Sequence, residues 1–366
     1  MQTPDPSDPD PTAEAFAADL AESFADDLKP GTVLLDGQYT ILGFLNSGGF
    51  GITYLAQDSL DRKVVIKECF PNALCRRSTS AVRPRSRKHT HDLRSIVENF
   101  IAEARNLAKL VHPNIVGVHQ VFEDNDTAYM AIDFIDGKDL EDILSSTDQA
   151  FGPAEIVVLL QKMLSAVDFI HQAGILHRDI SPDNILIDQN RNPVLIDFGA
   201  ASQATLVPTR VLTGRRVVKD GYSPQEFYLT GAEQSPASDL YSLGATFYHV
   251  ITGGPPVESQ KRLAMVAEGS PDPYRPLVGR YRGYPDGFLA SIDASLKVLQ
   301  RDRLQSASVW AEMIRIRKPG EVAPPEPALR AQPEAARPQP EPPAPAGAVG
   351  RLANLAAQVS AWRGRR

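Results

Sequence analysis

The segment from His177 to Asn184, with the sequence HRDISPDN, constrains this chain more than any other stretch does. It contains Asp179 and Asn184 within one short loop, and a second acid, Asp197, follows at the end of the next apolar run. Such a set of side chains can place one proton acceptor and two magnesium ligands around a triphosphate. The segment therefore predicts a phosphotransfer site.

A glycine-rich loop and a lone lysine precede this segment. Residues 45–53 read LNSGGFGIT, and glycine lets a backbone approach phosphate oxygens with no Cβ in the way. Residues 64–67 form an apolar, β-branched run that ends in Lys67, which is typical of a buried strand. A lysine at the end of such a strand needs an anion.

These motifs resemble the catalytic loop, magnesium-binding motif, glycine-rich loop and third strand of the protein kinase family. Asn46 stands at the family's first glycine, where Asn tolerates unusual backbone angles better than most residues. A helix is predicted over 92–110, because Ile96, Phe100, Leu107 and Leu110 recur at helical spacing. Glu103 on this helix has the family's local context, and the resemblance pairs it with Lys67.

The resemblance continues through the second half of the chain. Residues 221–226 stand at the family's Ala-Pro-Glu, with Gln225 in place of the proline and Glu226 retained. Asp239 begins a segment similar to the central helix of the large lobe, and Arg303 stands at the family's partner for Glu226. Over about 38–317 the resemblance implies an α+β bilobal fold, with a small antiparallel β-sheet N-lobe carrying one regulatory helix and a larger, mainly helical C-lobe.

The resemblance also implies the chemistry. Asp179 would accept the proton of an attacking hydroxyl, and Asn184 and Asp197 would bind Mg²⁺, with Mn²⁺ as the alternative ion. Lys67 would bind the α- and β-phosphates of ATP. The expected reaction transfers the ATP γ-phosphate to Ser or Thr hydroxyls of protein substrates, including the protein itself.

The family's adenine pocket maps onto both lobes. The adenine is expected between Leu45, Thr53 and Val65 above and Leu186 below, with Ile132 as the gatekeeper. Because Val65 is bulkier than the usual alanine and Thr53 replaces the usual valine, reduced nucleotide affinity is expected. The nucleotide-binding candidates come from the glycine-rich loop, the strand that ends in Lys67, the hinge at 133–135 whose backbone would bind the adenine, and the C-lobe. They are Leu45, Asn46, Ser47, Gly48, Gly49, Phe50, Gly51, Ile52, Thr53, Val65, Lys67, Asp133, Ile135, Asp139 and Leu186.

Regulation is expected at the activation segment, the stretch of chain between Asp197 and Glu226. Arg178 stands where the family binds a phosphorylated loop residue through charge-assisted hydrogen bonds. Thr209 and Thr213 are the preferred autophosphorylation sites, because arginines lie beside them. Arg215 stands at the position of the common phosphothreonine, however, so a segment ordered without modification remains the alternative.

Two further departures concern the substrate and the phosphate. Asp139 and Asp183 match positions that select arginine before the phosphorylated residue of the substrate. A mild preference for basic peptides is therefore expected, and it is weakened because His249 replaces a third acid.

Ser181 occupies the place of a lysine that reaches the γ-phosphate in the family, and Lys219 occupies the place of the threonine that is the partner of this lysine. We expect that the two have exchanged roles, with Lys219 supplying the cation; a solvated Lys219 is the alternative.

Between Lys67 and the predicted helix lies a long insertion, from Glu68 to about His91. It contains Arg76, Arg77, Arg83, Arg85, Arg87 and Lys88. A docking or phosphate-sensing surface and a solvated loop that balances the acidic N-terminus are the two alternatives. The opening KECFP resembles a KEYFP element of some bacterial family members, which indicates a bacterial Ser/Thr kinase in signalling.

Outside this region the composition changes. Residues 1–30 are acidic and expected to be largely disordered, with a short amphipathic helix formed by Phe16, Leu20, Phe24 and Leu28. The kinase domain is predicted over 31–318, with an N-lobe at about 36–134 and a C-lobe at about 135–318. Residues 319–347 are a Pro/Ala/Glu-rich disordered linker. Residues 348–366 are a basic amphipathic segment that could contact a membrane or a partner. The alternative for both tails is solvated chain without a dedicated role.

The net charge of −7 argues against general nucleic-acid binding. No apolar stretch approaches the ~20 residues that cross a bilayer, and no signal peptide is recognisable, so a cytoplasmic protein is expected. Cys69 and Cys75 are the only cysteines, and reduced thiols are expected.

Three functions compete at this point: an active protein kinase, a pseudokinase scaffold and a small-molecule phosphotransferase. The first is favoured because Lys67, Glu103, Asp179, Asn184 and Asp197 are all present. A pseudokinase would explain Asn46, Val65 and Gln225, and it is the second choice. The long activation segment and the Glu226 to Arg303 pairing argue against the third. The oligomeric state is left open.

Overall fold

The computed structural model describes residues 26–146, 151–198, 218–229 and 231–314. Within these ranges an antiparallel sheet with one long helix is followed by a mainly helical region, which confirms the predicted α+β bilobal fold. The strands are β1 (Val33–Leu34), β2 (Tyr39–Ser47), β3 (Gly51–Asp58), β4 (Lys63–Cys69), β5 (Cys75–Ser78), β6 (Ala81–Pro84), β7 (Val118–Asp124), β8 (Thr127–Asp133), β9 (Gly137–Asp139), β10 (Ile185–Asp188) and β11 (Pro193–Leu195). The helices are α1 (Thr90–Leu107), α2 (Leu140–Ser145), α3 (Pro153–Gln172), α4 (Pro236–Thr252), α5 (Ser259–Ala267), α6 (Phe288–Ser295) and α7 (Ala307–Met313).

The N-lobe sheet has the strand order β1-β2-β3-β4-β8-β7, and every adjacent pair is antiparallel. Along β3, Ile52, Tyr54 and Ala56 are buried, as expected when alternate side chains of a strand face one side. Helix α1 buries Ile96 and Leu107. It ends three residues before Leu110, which the sequence had placed on the helix; this residue is instead buried in the following turn.

The C-lobe is organised around α3 and α4. Helix α3 begins with Pro153 in its first turn, where the missing N–H costs nothing. Helix α4 is buried along most of its length, as expected for a central helix that other elements surround. At Gly244 on α4, an added Cβ would lie 2.0 Å from Ser295 Oγ on α6. Glycine is therefore required for the close approach of these two helices.

The insertion after Lys67 is folded. Strands β5 and β6 pair as a short antiparallel hairpin, and Leu74, Cys75 and Val82 are buried. Arg77 is also buried at its side chain, where it forms an ion pair with Glu68. Of the two alternatives for the insertion, a solvated loop does not describe this hairpin, because buried apolar side chains and an internal ion pair hold it to the sheet. Its exposed cations are Arg76, Arg83, Arg85, Arg87 and Lys88.

The membrane-spanning helices, the two cysteines and the chain ends are the remaining subjects of the sequence predictions. Among the described residues no helix is long and apolar enough to cross a membrane. Cys69 and Cys75 are buried free thiols, and burial raises the pKa of both. The linker at 319–347, the basic segment at 348–366 and three residues of the predicted N-terminal helix, Phe16, Leu20 and Phe24, lie outside the described residues. The fourth residue of that helix, Leu28, is not helical and is buried in the N-lobe core.

Candidate active site

The glycine-rich loop is the turn between β2 and β3. Pairing continues to Ser47 opposite Ile52, and the Gly48 N–H donates to the Gly51 carbonyl across 2.9 Å. A Cβ added to Gly51 would lie 2.6 Å from the Glu68 carbonyl, whereas one on Gly48 or on its neighbour at 49 would meet nothing within 4 Å. The fold itself thus requires glycine at 51, and the open backbone at 48–49 is accessible to a ligand.

Asn46 stands at the family's first glycine and lies within β2, opposite Thr53. The strand register shifts between Phe44 and Asn46, but Asn46 does not have a positive φ angle. The tolerance of Asn for unusual backbone angles is therefore not needed for a left-handed conformation at this position.

Lys67 forms an ion pair with Asp197. Its Nζ lies 2.6 Å from Asp197 Oδ1, and among the described residues the predicted pair with Glu103 is not formed. Asp197 follows β11 with a φ of 59°, in the left-handed region that non-glycine residues rarely adopt. This turn brings its carboxylate to Lys67. Glu103 lies half-buried on α1, where its charge acts on Arg178.

The catalytic loop is held from below by Asp239. This fully buried acid on α4 accepts the backbone N–H groups of His177 at 2.9 Å and Arg178 at 2.8 Å, and it accepts a third hydrogen bond from His171 Nε2. Burial alone would raise the pKa of Asp239, but these donors hold it below its ordinary value. Arg178 itself has a φ of 67°, so the Asp239 carboxylate fixes the loop where its backbone is strained.

Asp179 projects from this loop beside Asn184. Asn184 Nδ2 donates to Asp179 Oδ2 at 2.9 Å and to the Asp179 carbonyl at 2.7 Å. Burial raises the pKa of Asp179 to about 6, while the nearby Lys219 ammonium opposes the shift. A carboxylate with a pKa just below neutral pH is ionised and still basic enough to take a proton. The group is therefore suited to act as a general base.

Asn184 and Asp197 present the oxygen ligands that magnesium requires. The Ile196 N–H donates to the Asn184 carbonyl across 3.0 Å, which holds the residue before Asp197 against the catalytic loop. Asp197 remains 44% exposed at its side chain. Among the described residues no group of three or more His, Cys, Asp and Glu side chains could hold a metal. One carboxylate and one amide fit Mg²⁺, which usually completes its shell with phosphate oxygens and water.

Lys219 reaches the catalytic loop. Its Nζ donates to Ser181 Oγ at 2.7 Å and to Asp183 at 2.8 Å, and it lies 3.2 Å from Asp179 Oδ1. Ser181 Oγ in turn donates to Asp183 Oδ1 at 2.6 Å. The predicted proximity of Ser181 and Lys219 is thus observed, and Lys219 is not solvated as the alternative had it.

The predicted adenine pocket combines strand and C-lobe residues. Val65 on β4 pairs with Ile132 on β8, and Leu186 on β10 pairs with Asp139 on β9. Asp139 caps α2 by accepting the Asp142 N–H at 2.7 Å, and burial raises its pKa. The Asp139 carboxylate, which is expected to contact the ribose, therefore also caps helix α2.

The remaining nucleotide candidates lie along the same edges. Asp133 ends β8 and turns its carboxylate to the Gly117 N–H at 2.8 Å, and Ile135 packs against the C-lobe core. Leu45, Ser47 and the turn residue Phe50 border the glycine-rich loop. The two Thr candidates, Thr209 and Thr213, lie outside the described residues.

Glu226 and Arg303 form the predicted structural pair. Arg303 Nη1 lies 2.7 Å from Glu226 Oε1 and Nη2 lies 3.1 Å from Oε2, so the contact is bidentate. Ser238 Oγ donates a further hydrogen bond to Glu226 at 2.8 Å. Glu226 and Arg303 are each 4% exposed, which makes this a buried, fully engaged ion pair.

Three polar residues near the site were not predicted. Ser223 Oγ accepts the Lys219 N–H at 2.8 Å, and Ser259 Oγ donates to the Ser223 carbonyl at 2.8 Å. Tyr222 donates to His249 Nδ1 at 2.6 Å. The contact of Ser223 with Lys219 lies within one turn of the chain. The sequence offers little signal for the other two contacts, because each joins residues far apart in the chain whose positions depend on tertiary packing.

Comparison with known proteins agrees with this geometry. The protein kinase domain model matches residues 39–272. The chain is 27% identical to serine/threonine-protein kinase PknD of Chlamydia pneumoniae over 76% of its length, and 29% identical to serine/threonine-protein kinase pkn2 of Myxococcus xanthus over 78%. It covers only 31% and 33% of those two proteins.

Two further similarities cover more of the related chain. Serine/threonine-protein kinase PknA of Mycobacterium tuberculosis is 29% identical, with 90% of this chain and 72% of PknA aligned. The solved structure named "PpkA-294 apo form" is 34% identical, with a TM-score of 0.67, and the match covers 79% of this chain and all of that one. The region matched by the protein kinase domain model includes Lys67, Asp179, Asn184, Asp197 and Lys219.

Proposed function

Because the chain belongs to the protein kinase family, we propose that it is an active, ATP-dependent serine/threonine protein kinase. The observation that carries this proposal is the arrangement around Asp179. A partly buried carboxylate with a pKa of about 6 lies beside an amide and an ammonium, and Lys67 and Asp197 meet at the adjoining edge. The set provides a base and cations for a triphosphate.

Asp179 would orient the acceptor hydroxyl and take its proton. Its Oδ2 is held by Asn184 and its backbone by the loop that Asp239 supports, so the carboxylate is positioned before the substrate arrives. Such positioning and proton transfer typically contribute ~10²–10⁴-fold to the rate. The acceptor oxygen would then form a bond to the γ-phosphorus as the bond to ADP breaks.

Lys67 would bind the α- and β-phosphates of ATP. Its present partner, Asp197, would share in holding magnesium with Asn184, and magnesium, when bound, neutralises charge on the β- and γ-phosphate oxygens. Backbone N–H groups of the glycine-rich loop, open at 48 and 49, would complete the phosphate cradle. These roles explain why the lysine, the amide and the acid lie on three different elements around one cleft.

The substrate class and setting follow by similarity. The named relatives are bacterial serine/threonine-protein kinases, and we infer that this chain phosphorylates Ser and Thr of bacterial proteins, itself included, in cytoplasmic signalling. Because the chain spans about a third of two of these relatives, partners that depend on their other regions are not carried over.

The test is transfer of radiolabelled phosphate from ATP to the protein itself and to a generic protein substrate. Asp179→Asn and Lys67→Met should each lower transfer by at least ~10²-fold with unchanged melting curves. Asp286→Asn and Lys109→Met, which alter exposed residues of the same types, serve as controls and should keep full activity.

The opposite results would identify another function. Wild-type protein that binds ATP but transfers no phosphate would be a pseudokinase. Transfer to a small molecule without transfer to protein would indicate a small-molecule phosphotransferase. Wild-type turnover in Asp179→Asn would show that Asp179 is not the base.

A further inference from the structure

We propose that Lys219, delivered by the activation segment, is a catalytic residue that contacts the transferring γ-phosphoryl group in the transition state. This inference rests on the proposed kinase function and adds a residue to its machinery. Ser181 then serves as the hydroxyl partner of that lysine. If Ser181 and Lys219 have exchanged roles in this way, the catalytic cation enters the site only when residues 219–223 take the position that they have in this structure.

The first support is the position of the ammonium. Lys219 Nζ lies 3.2 Å from Asp179 Oδ1, the longest of its contacts to the loop, and its shorter contacts are to Ser181 and Asp183. Asp179 must lie within hydrogen-bonding distance of the hydroxyl that attacks the γ-phosphorus. An ammonium beside Asp179 is therefore within a few ångströms of the phosphoryl group during transfer.

The second support is the distribution of charge. Lys67 is engaged with Asp197 on one edge of the site, and Lys219 is engaged with Asp179 and Asp183 on the other. The Lys219 side chain is 26% exposed, so it is not enclosed in the protein interior. The longest contact, to Asp179, can be replaced by a phosphate oxygen while Ser181 and Asp183 continue to hold the side chain in place.

The third support is the way in which Lys219 is anchored. Its carbonyl accepts the N–H of Ser223 at 2.8 Å, and its own N–H donates to Ser223 Oγ at 2.8 Å. Ser259 at the start of α5 donates to the Ser223 carbonyl. Gly221 has a φ of 85°, and an added Cβ there would lie 2.8 Å from Pro255. The turn therefore lies against the C-lobe in one conformation, which preorganises the ammonium, as electrostatic catalysis requires.

A purely structural role makes a different prediction. If Lys219 only neutralises Asp183 and ties the activation segment to the loop, its loss should affect ground-state nucleotide binding and folding as much as the chemical step. If it contacts the phosphoryl group in the transition state, its loss should lower kcat and leave the affinity for ADP unchanged.

The experiment compares Lys219→Ala with Lys261→Ala, an exposed lysine on α5, in steady-state kinetics with ATP and a peptide substrate. Lys219→Ala should lower kcat by at least ~10²-fold with little change in the KM for ATP. Lys261→Ala should match the wild type. The double variant Ser181→Lys with Lys219→Thr should regain at least ~10-fold in kcat over Lys219→Ala, because it returns the cation to the site from the other side.

A binding measurement without turnover separates the two roles. Calorimetry with Mg²⁺, ADP and aluminium fluoride, which together mimic the transferring phosphoryl group, should show ~10²-fold weaker binding to Lys219→Ala, whereas ADP with Mg²⁺ alone should bind as it does to the wild type. If the alanine variant fails to fold, Lys219→Gln takes its place, since it retains a hydrogen-bonding side chain without the charge.

The overturning results are distinct from those for the kinase assignment. An inactive wild type would remove the proposed function. An active wild type with near-normal kcat in Lys219→Ala would leave that function in place and remove the proposed role of Lys219. Equal weakening of ADP and of its aluminium fluoride complex would show a structural role only.

Discussion

The guanidinium of Arg77, in the inserted hairpin, donates to the carboxylate of Glu68, the residue that follows Lys67 in β4. The two atoms are 2.5 Å apart, and the side chains are 3% and 0% exposed. Tyr54 and Tyr129 donate to the same carboxylate at 2.8 Å and 2.9 Å. An acid that looks like a surface charge in the sequence is thus the centre of a buried network that joins the hairpin to the sheet.

This network predicts a large loss of stability for Arg77→Met. Removing one partner of a buried ion pair leaves an uncompensated charge and typically costs about 3–5 kcal/mol, and urea unfolding should show a loss in this range. Arg76→Met, at the exposed neighbour in the same strand, should change the free energy of unfolding by less than about 0.5 kcal/mol.

The double variant Glu68→Gln with Arg77→Met should be more stable than Arg77→Met alone, because no charge is then left unpaired and the single glutamine oxygen still accepts from one of the two tyrosines, which donate to different oxygens of Glu68. Equal stability of Arg77→Met and Arg76→Met would contradict the structural role of the hairpin's buried arginine.

The pair of Glu226 and Arg303 predicts a second loss of stability. Arg303 also donates to the Lys297 carbonyl at 2.7 Å and the Val298 carbonyl at 2.9 Å, so Arg303→Met would leave the buried Glu226 carboxylate unpaired and remove the donor from two backbone carbonyls. A cost of about 3–5 kcal/mol is expected in chemical unfolding. The control is Arg301→Met, whose side chain is 82% exposed and whose loss should be nearly neutral. Similar unfolding curves for the two variants would contradict this assignment.

Activation should depend on phosphorylation of the segment before Lys219. Arg178 is held at the catalytic loop by Asp239, where a phosphate on Thr209 or Thr213 would add charge-assisted hydrogen bonds. Mass spectrometry should find phosphate on these threonines in the active protein and not in Asp179→Asn, and alanine at both positions should lower kcat. Full activity of the double alanine variant would favour the alternative in which the segment is ordered without modification.

A mild preference for basic residues before the acceptor is expected in a peptide library. Glu141 lies beside the predicted pair of Asp139 and Asp183, and burial together with the charge of Asp183 raises the pKa of Glu141. A cationic side chain would relieve this repulsion. Because Lys219 already engages Asp183, the preference should be weaker than two free carboxylates would give.

Glu141→Gln should reduce this preference, whereas Glu268→Gln, at an exposed residue away from the loop, should leave it unchanged. Selection of acidic residues or of proline after the acceptor would contradict the expectation.

Contiguous motifs made much of the site predictable. The segment 177–184 with Asp197 indicated the phosphotransfer chemistry, and the positions of Ser181 and Lys219 indicated that the two would meet, as they do at 2.7 Å. These inferences succeeded because a family motif specifies where each residue lies on a shared backbone. The partner of Lys67 could not be predicted in the same way, because Asp197 reaches the lysine through the left-handed turn that it adopts after β11.

The sequence by itself determined the chemical types gathered at the site and, through its resemblance to the protein kinase family, the bilobal fold, since the motifs that carry this resemblance are short contiguous stretches of chain. Tertiary structure alone decided that the insertion is a packed hairpin, that Arg77 is buried against Glu68, and that Ser223 and Ser259 anchor the turn that carries Lys219. Apart from the contact between Lys219 and Ser223 within one turn, each of these contacts joins residues from separate elements. The energy of each contact depends on how deeply its atoms are buried and changes when the distance between them changes by a few tenths of an ångström. Both quantities are set only when the elements pack together.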